Sequence, residues 1–168
     1  KYLKPSEEYK ENARKLLANV MDYTESVKNV FISMLKVVEA NTSDIYVELQ
    51  QQVAMLSSSI RRLTRVRPDI AKAFNCTALG YKTSVELLPR DAIDNIDRLI
   101  NLAGVLANYQ ALGANTFKFY VEVGLNITNS LEAYFLKLEE DYEEYLEKFI
   151  SSAYKELDRL QLKIVALD

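Results

Sequence analysis

Apolar residues recur every three or four positions along most of this 168-residue chain, and only three Pro and four Gly interrupt them. From Tyr9 through Ala13, Leu16, Val20, Tyr23, Val27, Phe31 and Met34 to Val38, this spacing lays one apolar stripe along a helix. Pro5 stands just outside, Ser6 is placed to cap, and Glu7 and Glu8 suit the positive end of the dipole. The spacing therefore predicts a first helix over Ser6–Ala40, roughly 50 Å long at 1.5 Å per residue.

Asn41-Thr42-Ser43 breaks that helix, and Ile45, Leu49, Val53, Leu56, Ile60 and Leu63 begin a second stripe. Proline lacks the amide hydrogen and clashes with the preceding turn, so Pro68 predicts an end near Val66 and the start of a short third helix. That helix stops near Leu79, before Gly80, and Tyr81 to Arg90 reads as a connection. A fourth helix is predicted over Asp91–Leu112, closed by Gly113. Ile93, Ile96, Leu99, Ile100, Leu102, Val105, Leu106 and Tyr109 nearly encircle it, which predicts a central position.

No Pro follows Asn115, and Leu131, Phe135, Leu138, Tyr142, Tyr145, Phe149, Ala153, Leu157, Leu160, Ile164 and Leu167 continue the helical spacing. One long C-terminal helix is expected. Within it Phe117, Phe119, Val121, Val123 and Leu125 alternate with other residues as a strand would. A strand there would have no partner for its backbone groups, so helix is the expectation. The whole reads as all-α: an antiparallel bundle of about five helices in a single domain, residues 1–168.

Composition removes most chemistry. The chain has no His and one Cys, so Ser-His-Asp and Cys-His nucleophile pairs are excluded, as are metal sites built on His and Cys. Gly80, Gly104, Gly113 and Gly124 stand singly, which leaves no phosphate-binding loop. No catalytic residue, cofactor or metal ligand is assigned, and the expectation is a protein that is not an enzyme. With 24 acidic and 21 basic side chains, net charge −3, no overall field draws it to nucleic acid. No apolar run reaches the length of a membrane span.

Two charged clusters remain as candidate contacts. Arg61, Arg62, Arg65 and Arg67 form a basic cap near the end of the second helix, suited to an anion or an acidic partner. Such charge is also what a helix C-terminus favours with no ligand at all. Glu139, Glu140, Asp141, Glu143, Glu144 and Glu147 form an acidic face, which is either a contact or a solvated surface. These carboxylates lie on one helix and lack the calcium-loop spacing. The two clusters could also meet each other, within the bundle or between two molecules.

Small residues on the fourth helix, Ala103, Gly104, Ala107 and Ala111, allow either close helix packing or an apolar channel. The channel would be lined by Leu99, Ala103, Leu106, Ala107 and Tyr109 and would take a lipid or other hydrophobic small molecule. Close packing is the first expectation, and with it a loss of about 1–3 kcal/mol on Ala107→Leu.

Three acceptor sequons begin at Asn41, Asn75 and Asn126, and the chain starts at Lys1, as a processed form or an excised piece does. The expectation is a secreted, extracellular glycoprotein. Cys76 has no second Cys to pair with inside the chain, so it reads as a small buried residue, a free thiol or a bridge between chains. In size, helix content and scarcity of Cys the chain is similar to exchangeable apolipoproteins of insect haemolymph and to small secreted helical proteins of arthropod saliva. That likeness is one of class and carries over no functional residue. The leading expectation is a protein that binds another protein or a receptor through its surface, of effector or immunomodulatory type. The alternative is a lipid carrier.

Overall fold

The computed structural model describes residues 7–40, 43–74 and 90–140, and among them it is all-helical with no strand. Four α-helices follow one another: α1 (Glu7–Ala40), α2 (Ile45–Phe74), α3 (Arg90–Ala107) and α4 (Ala114–Glu140). Each packs chiefly on two others, α1 on α2 and α4, and α3 on α2 and α4, so the four close into a ring with α2 across from α4. One continuous apolar core draws on all four helices.

The core positions follow a three-four alternation that repeats every seven residues. On α1 they are Leu17, Val20, Thr24, Val27, Phe31 and Met34, joined by Val30. On α4 they are Phe117, Val121, Gly124, Thr128, Leu131, Phe135 and Leu138. Such a rhythm keeps one seam of a helix facing its neighbours. The buried hydroxyls are satisfied locally: Thr24 Oγ1 donates to the Val20 carbonyl at 2.7 Å and Thr128 Oγ1 to that of Leu125 at 2.8 Å. Both threonines therefore enter an apolar seam without an orphaned donor.

The 117–125 segment is helical. Its apparent alternation arises because Phe119 is 60% exposed while Phe117 and Val121 are buried, and the next seam position after Val121 is Gly124. At Gly124 the helices approach closely. A β-carbon built there would lie 2.7 Å from Cε2 and from Cζ of Phe31 and 3.0 Å from Cδ2 of Leu102, so α1, α3 and α4 meet over its bare backbone.

Two boundaries differ from the sequence expectation. Helix 2 does not end before Pro68 but runs through it to Phe74, so the described residues hold four α-helices where five were expected along the whole chain. The proline is tolerated because its side faces solvent: Thr64, whose carbonyl loses its amide donor, and Pro68 are both exposed, and water can take the freed acceptor. Val66 and Ile70 hold the turn to the core from the other side.

The fourth predicted helix stops as an α-helix at Ala107. A short 3-10 turn, Tyr109–Ala111, follows, with Ala111 N donating to the Asn108 carbonyl at 2.9 Å. Phe117 N then donates to the Gly113 carbonyl at 2.9 Å to open α4.

Nor is α3 the central helix. Ala92, Ile96, Leu99, Leu102, Ala103 and Leu106 are buried, but Asp94, Arg98, Asn101, Gly104, Val105 and Ala107 are exposed, which makes it an ordinary one-sided helix. The sequence stretch looked encircled because Val105 is an apolar residue on the solvent side.

Candidate interaction surface

The second half of α2 sorts its residues by face. Leu56, Ile60, Leu63 and Ile70 point into the core, which leaves Ser58, Arg61, Arg65 and Asp69 on the outward side. Between Glu48 and Asp69 the helix carries four arginines and no carboxylate. The structure divides these four into two kinds.

Arg67 is a packing residue. It is half-buried, and its Nε and Nη2 donate to Oδ1 and Oδ2 of Asp97 on α3 at 2.5 and 2.8 Å. The bidentate fork matches a carboxylate in one plane and fixes both partners. Those hydrogen bonds hold the Arg67 guanidinium above its ordinary pKa against the opposing effect of burial, so it stays charged throughout the accessible pH range. Its charge is neutralised inside the molecule.

Arg61, Arg62 and Arg65 are exposed, and none forms an ion pair with a carboxylate of the described residues. Arg62 leans toward α1, its guanidinium 5.9 Å from the ring centroid of Tyr23, a cation–π contact that orients it without neutralising it. Arg61 and Arg65 stand one helical turn apart. Like charges at that spacing repel and weaken a helix, so an anion docked there would relieve a tension the fold itself leaves in place.

The acidic face is described only at its start, where Glu139 and Glu140 are exposed at the end of α4. Glu139 borders a hollow shared with Arg14, Leu17 and Ala18 of α1. Glu143, Glu144 and Glu147 lie outside the described residues, as do Asn41, Asn75 and Cys76. Asn126 lies on the solvent side of α4, while Thr128 of the same sequon is fully buried.

The five proposed channel residues do not share one lining. Leu99 and Leu106 are fully buried and Ala103 nearly so, Tyr109 is half-buried, and Ala107 is exposed. Ala107 therefore lines no interior channel and fills no core position. Ala107→Leu should therefore change stability in urea unfolding by no more than about 0.5 kcal/mol, as surface substitutions generally do, and not by the loss that close packing predicts. A loss above about 1 kcal/mol would mean that the side chain meets the core after all.

Other features carry no sequence signature. Met21, Asp22, Glu25, Lys28, Glu132 and Leu136 surround an open hollow of about 360 Å³ between α1 and α4, with Lys28 Nζ bound to Glu132 Oε2 at 2.9 Å. Tyr46 and Tyr109 meet with ring centroids 6.2 Å apart, joining the start of α2 to the turn after α3. Both pairings link distant parts of the chain, which periodicity along one helix does not report.

Among the described residues no group of three or more metal-ligating side chains is close enough to hold an ion. Nor is any helix among them long and apolar enough to cross a membrane. Comparison of the chain with family profiles, with curated proteins and with solved structures finds no match. The reading of function rests on the residues alone.

Proposed function

We propose that this is a secreted, extracellular, non-enzymatic helical protein that acts by binding another protein or a receptor through its surface, in the manner of an effector or immunomodulator. The observation that carries the reading is the outer face of α2, where Arg61, Arg62 and Arg65 are exposed and lack an ion-pair partner among the described residues. A surface of guanidinium groups selects a carboxylate- or phosphate-bearing partner by geometry as well as by charge. Arg67 is left out of the contact set because Asp97 already occupies it.

The same reading takes the chain as one antiparallel bundle whose C-terminal helix extends past Glu140 and whose fifth helix lies in the remaining sequence. The order of contacts between α1 and α4 supports the antiparallel sense, since Lys28 meets Glu132, Phe31 approaches Gly124 and Glu39 meets Lys118. Glycans are proposed at Asn41, Asn75 and Asn126. At Asn126 the exposed amide leaves room for one on the folded bundle, whereas the buried Thr128 is reachable only before α4 packs.

The test is binding of fluorescently labelled protein to intact cells in culture, wild type against Arg61→Glu/Arg65→Glu. Affinity should fall by about tenfold, equal to about 1.4 kcal/mol, with unchanged helix content. Binding of equal strength by the variant would remove α2 from the contact and this reading with it.

A further inference from the structure

Charge is segregated along the chain. On α2, twenty consecutive positions between Glu48 and Asp69 carry four arginines and no carboxylate, whereas from Glu139 to Glu147 there are six carboxylates and no basic residue. No carboxylate of the described residues forms an ion pair with Arg61, Arg62 or Arg65, although Asp69 shares their face one turn beyond Arg65. Asp97 is taken by Arg67, and Asp22 and Glu25 of α1 border the hollow on the α4 side. The complement to Arg61 and Arg65 in sign and in four-residue spacing is in the chain itself, at Glu139 and Glu143 and again at Glu140 and Glu144.

We propose that the arginine face of α2 docks the acidic end of α4 from a second copy of this chain. The proposal rests on the reading of α2 as a contact surface and names one partner for it. In the ring of four helices α2 and α4 lie across from each other, so the exposed Glu139 and Glu140 stand on the far side of the bundle from their own molecule's Arg61 and Arg65. Two faces on opposite sides cannot both close on one partner. The contact is heterologous, each added copy leaves one face free, and assembly grows with concentration instead of stopping at a dimer. Its attraction is between exposed charges and is screened as the Debye length shrinks from about 10 Å at 0.1 M salt to about 3 Å at 1 M.

Sedimentation velocity on the full chain tests this at about 20 mM and about 0.5 M NaCl, conditions on either side of that screening range. At low salt the weight-average mass should climb above the 19.3 kDa monomer and past a dimer as concentration rises, and should return to the monomer at high salt. Arg61→Gln/Arg65→Gln and Glu139→Gln/Glu140→Gln, which remove charge without reversing it, should each remain monomeric alone. Mixed in equal amounts, they should form a one-to-one complex and nothing larger, because one intact face of each kind survives. Circular dichroism establishes that both variants are folded.

A wild type that stays monomeric at low salt overturns the proposal, as does growth that survives in either variant, or a mixture that does not pair. If the wild type does not associate but the arginine variant still loses cell binding, self-docking fails while the surface reading stands. If both fail, the arginine face is a solvated surface.

Discussion

Gly124→Val should destabilise the protein by about 3 kcal/mol or more, the largest loss expected of any single substitution on α4 outside its big apolar residues. A β-carbon at 124 lies 2.7 Å from two ring carbons of Phe31 and 3.0 Å from a methyl of Leu102. Real contacts of that length do not persist, so something must move. Leu102 can turn its methyl aside, but Phe31 is fully buried and has no free side to retreat to. Forcing extra carbon into a closed core costs about 1–3 kcal/mol, and valine adds two further methyls and a stiff branch near the backbone.

Gly124→Ala separates the two opposing effects. Alanine improves helix propensity by about 1 kcal/mol, whereas the clash costs about 1–3 kcal/mol, so a net loss of about 1 kcal/mol is expected. In a Phe31→Leu background the ring carbons are gone and the same change should become neutral or stabilising. Urea unfolding of the four proteins closes a double-mutant cycle whose coupling between positions 31 and 124 should exceed about 1 kcal/mol. Additive losses would mean that Gly124 is there for a reason other than the approach of Phe31.

The same position explains what the sequence conceals. Long helices, their faces and most of the core were legible because Val20, Val27, Phe31, Met34, Leu131, Phe135 and Leu138 are large, apolar and regularly spaced. The seam becomes illegible where it uses Gly124, Thr24 and Thr128, whose side chains give no apolar signal, although all three are buried. Phe119 misleads in the other direction, being large, apolar and exposed. Core membership at these points depends on how near the facing helix comes, which is set by residues far away in sequence.

The arginine cap shows a similar limit. Four cations within seven residues are visible in the sequence, yet the assignment of Arg67 to Asp97 depends on how α2 and α3 lie against each other. The other three keep the exposure that a surface contact requires. Here the sequence supplied the charge and the packing selected which of it is free.

Pro68→Ala is expected to stabilise the fold by about 1–2 kcal/mol, and it tests why α2 carries a proline at all. A proline inside a helix costs about 3 kcal/mol relative to alanine, through a lost hydrogen bond and a clash with the carbonyl four residues back. Part of that is offset because proline also restricts the unfolded chain, by up to about 1 kcal/mol, and alanine gives that up. Exposure of Thr64 and Pro68 lowers the penalty further, since the carbonyl without a donor is open to water. The substitution restores an amide that can donate to the Thr64 carbonyl, and should raise the melting temperature of an otherwise unchanged protein. One neighbour can cancel the gain. Arg67 precedes the proline and reaches Asp97 through two hydrogen bonds that tolerate little displacement. If the local geometry imposed by Pro68 is what aims that guanidinium, alanine would loosen the pair and the gain would vanish. In an Asp97→Asn background, where the charged pair is already gone, the gain would then reappear. A gain of equal size in both backgrounds would show that the proline contributes nothing to the placement of Arg67.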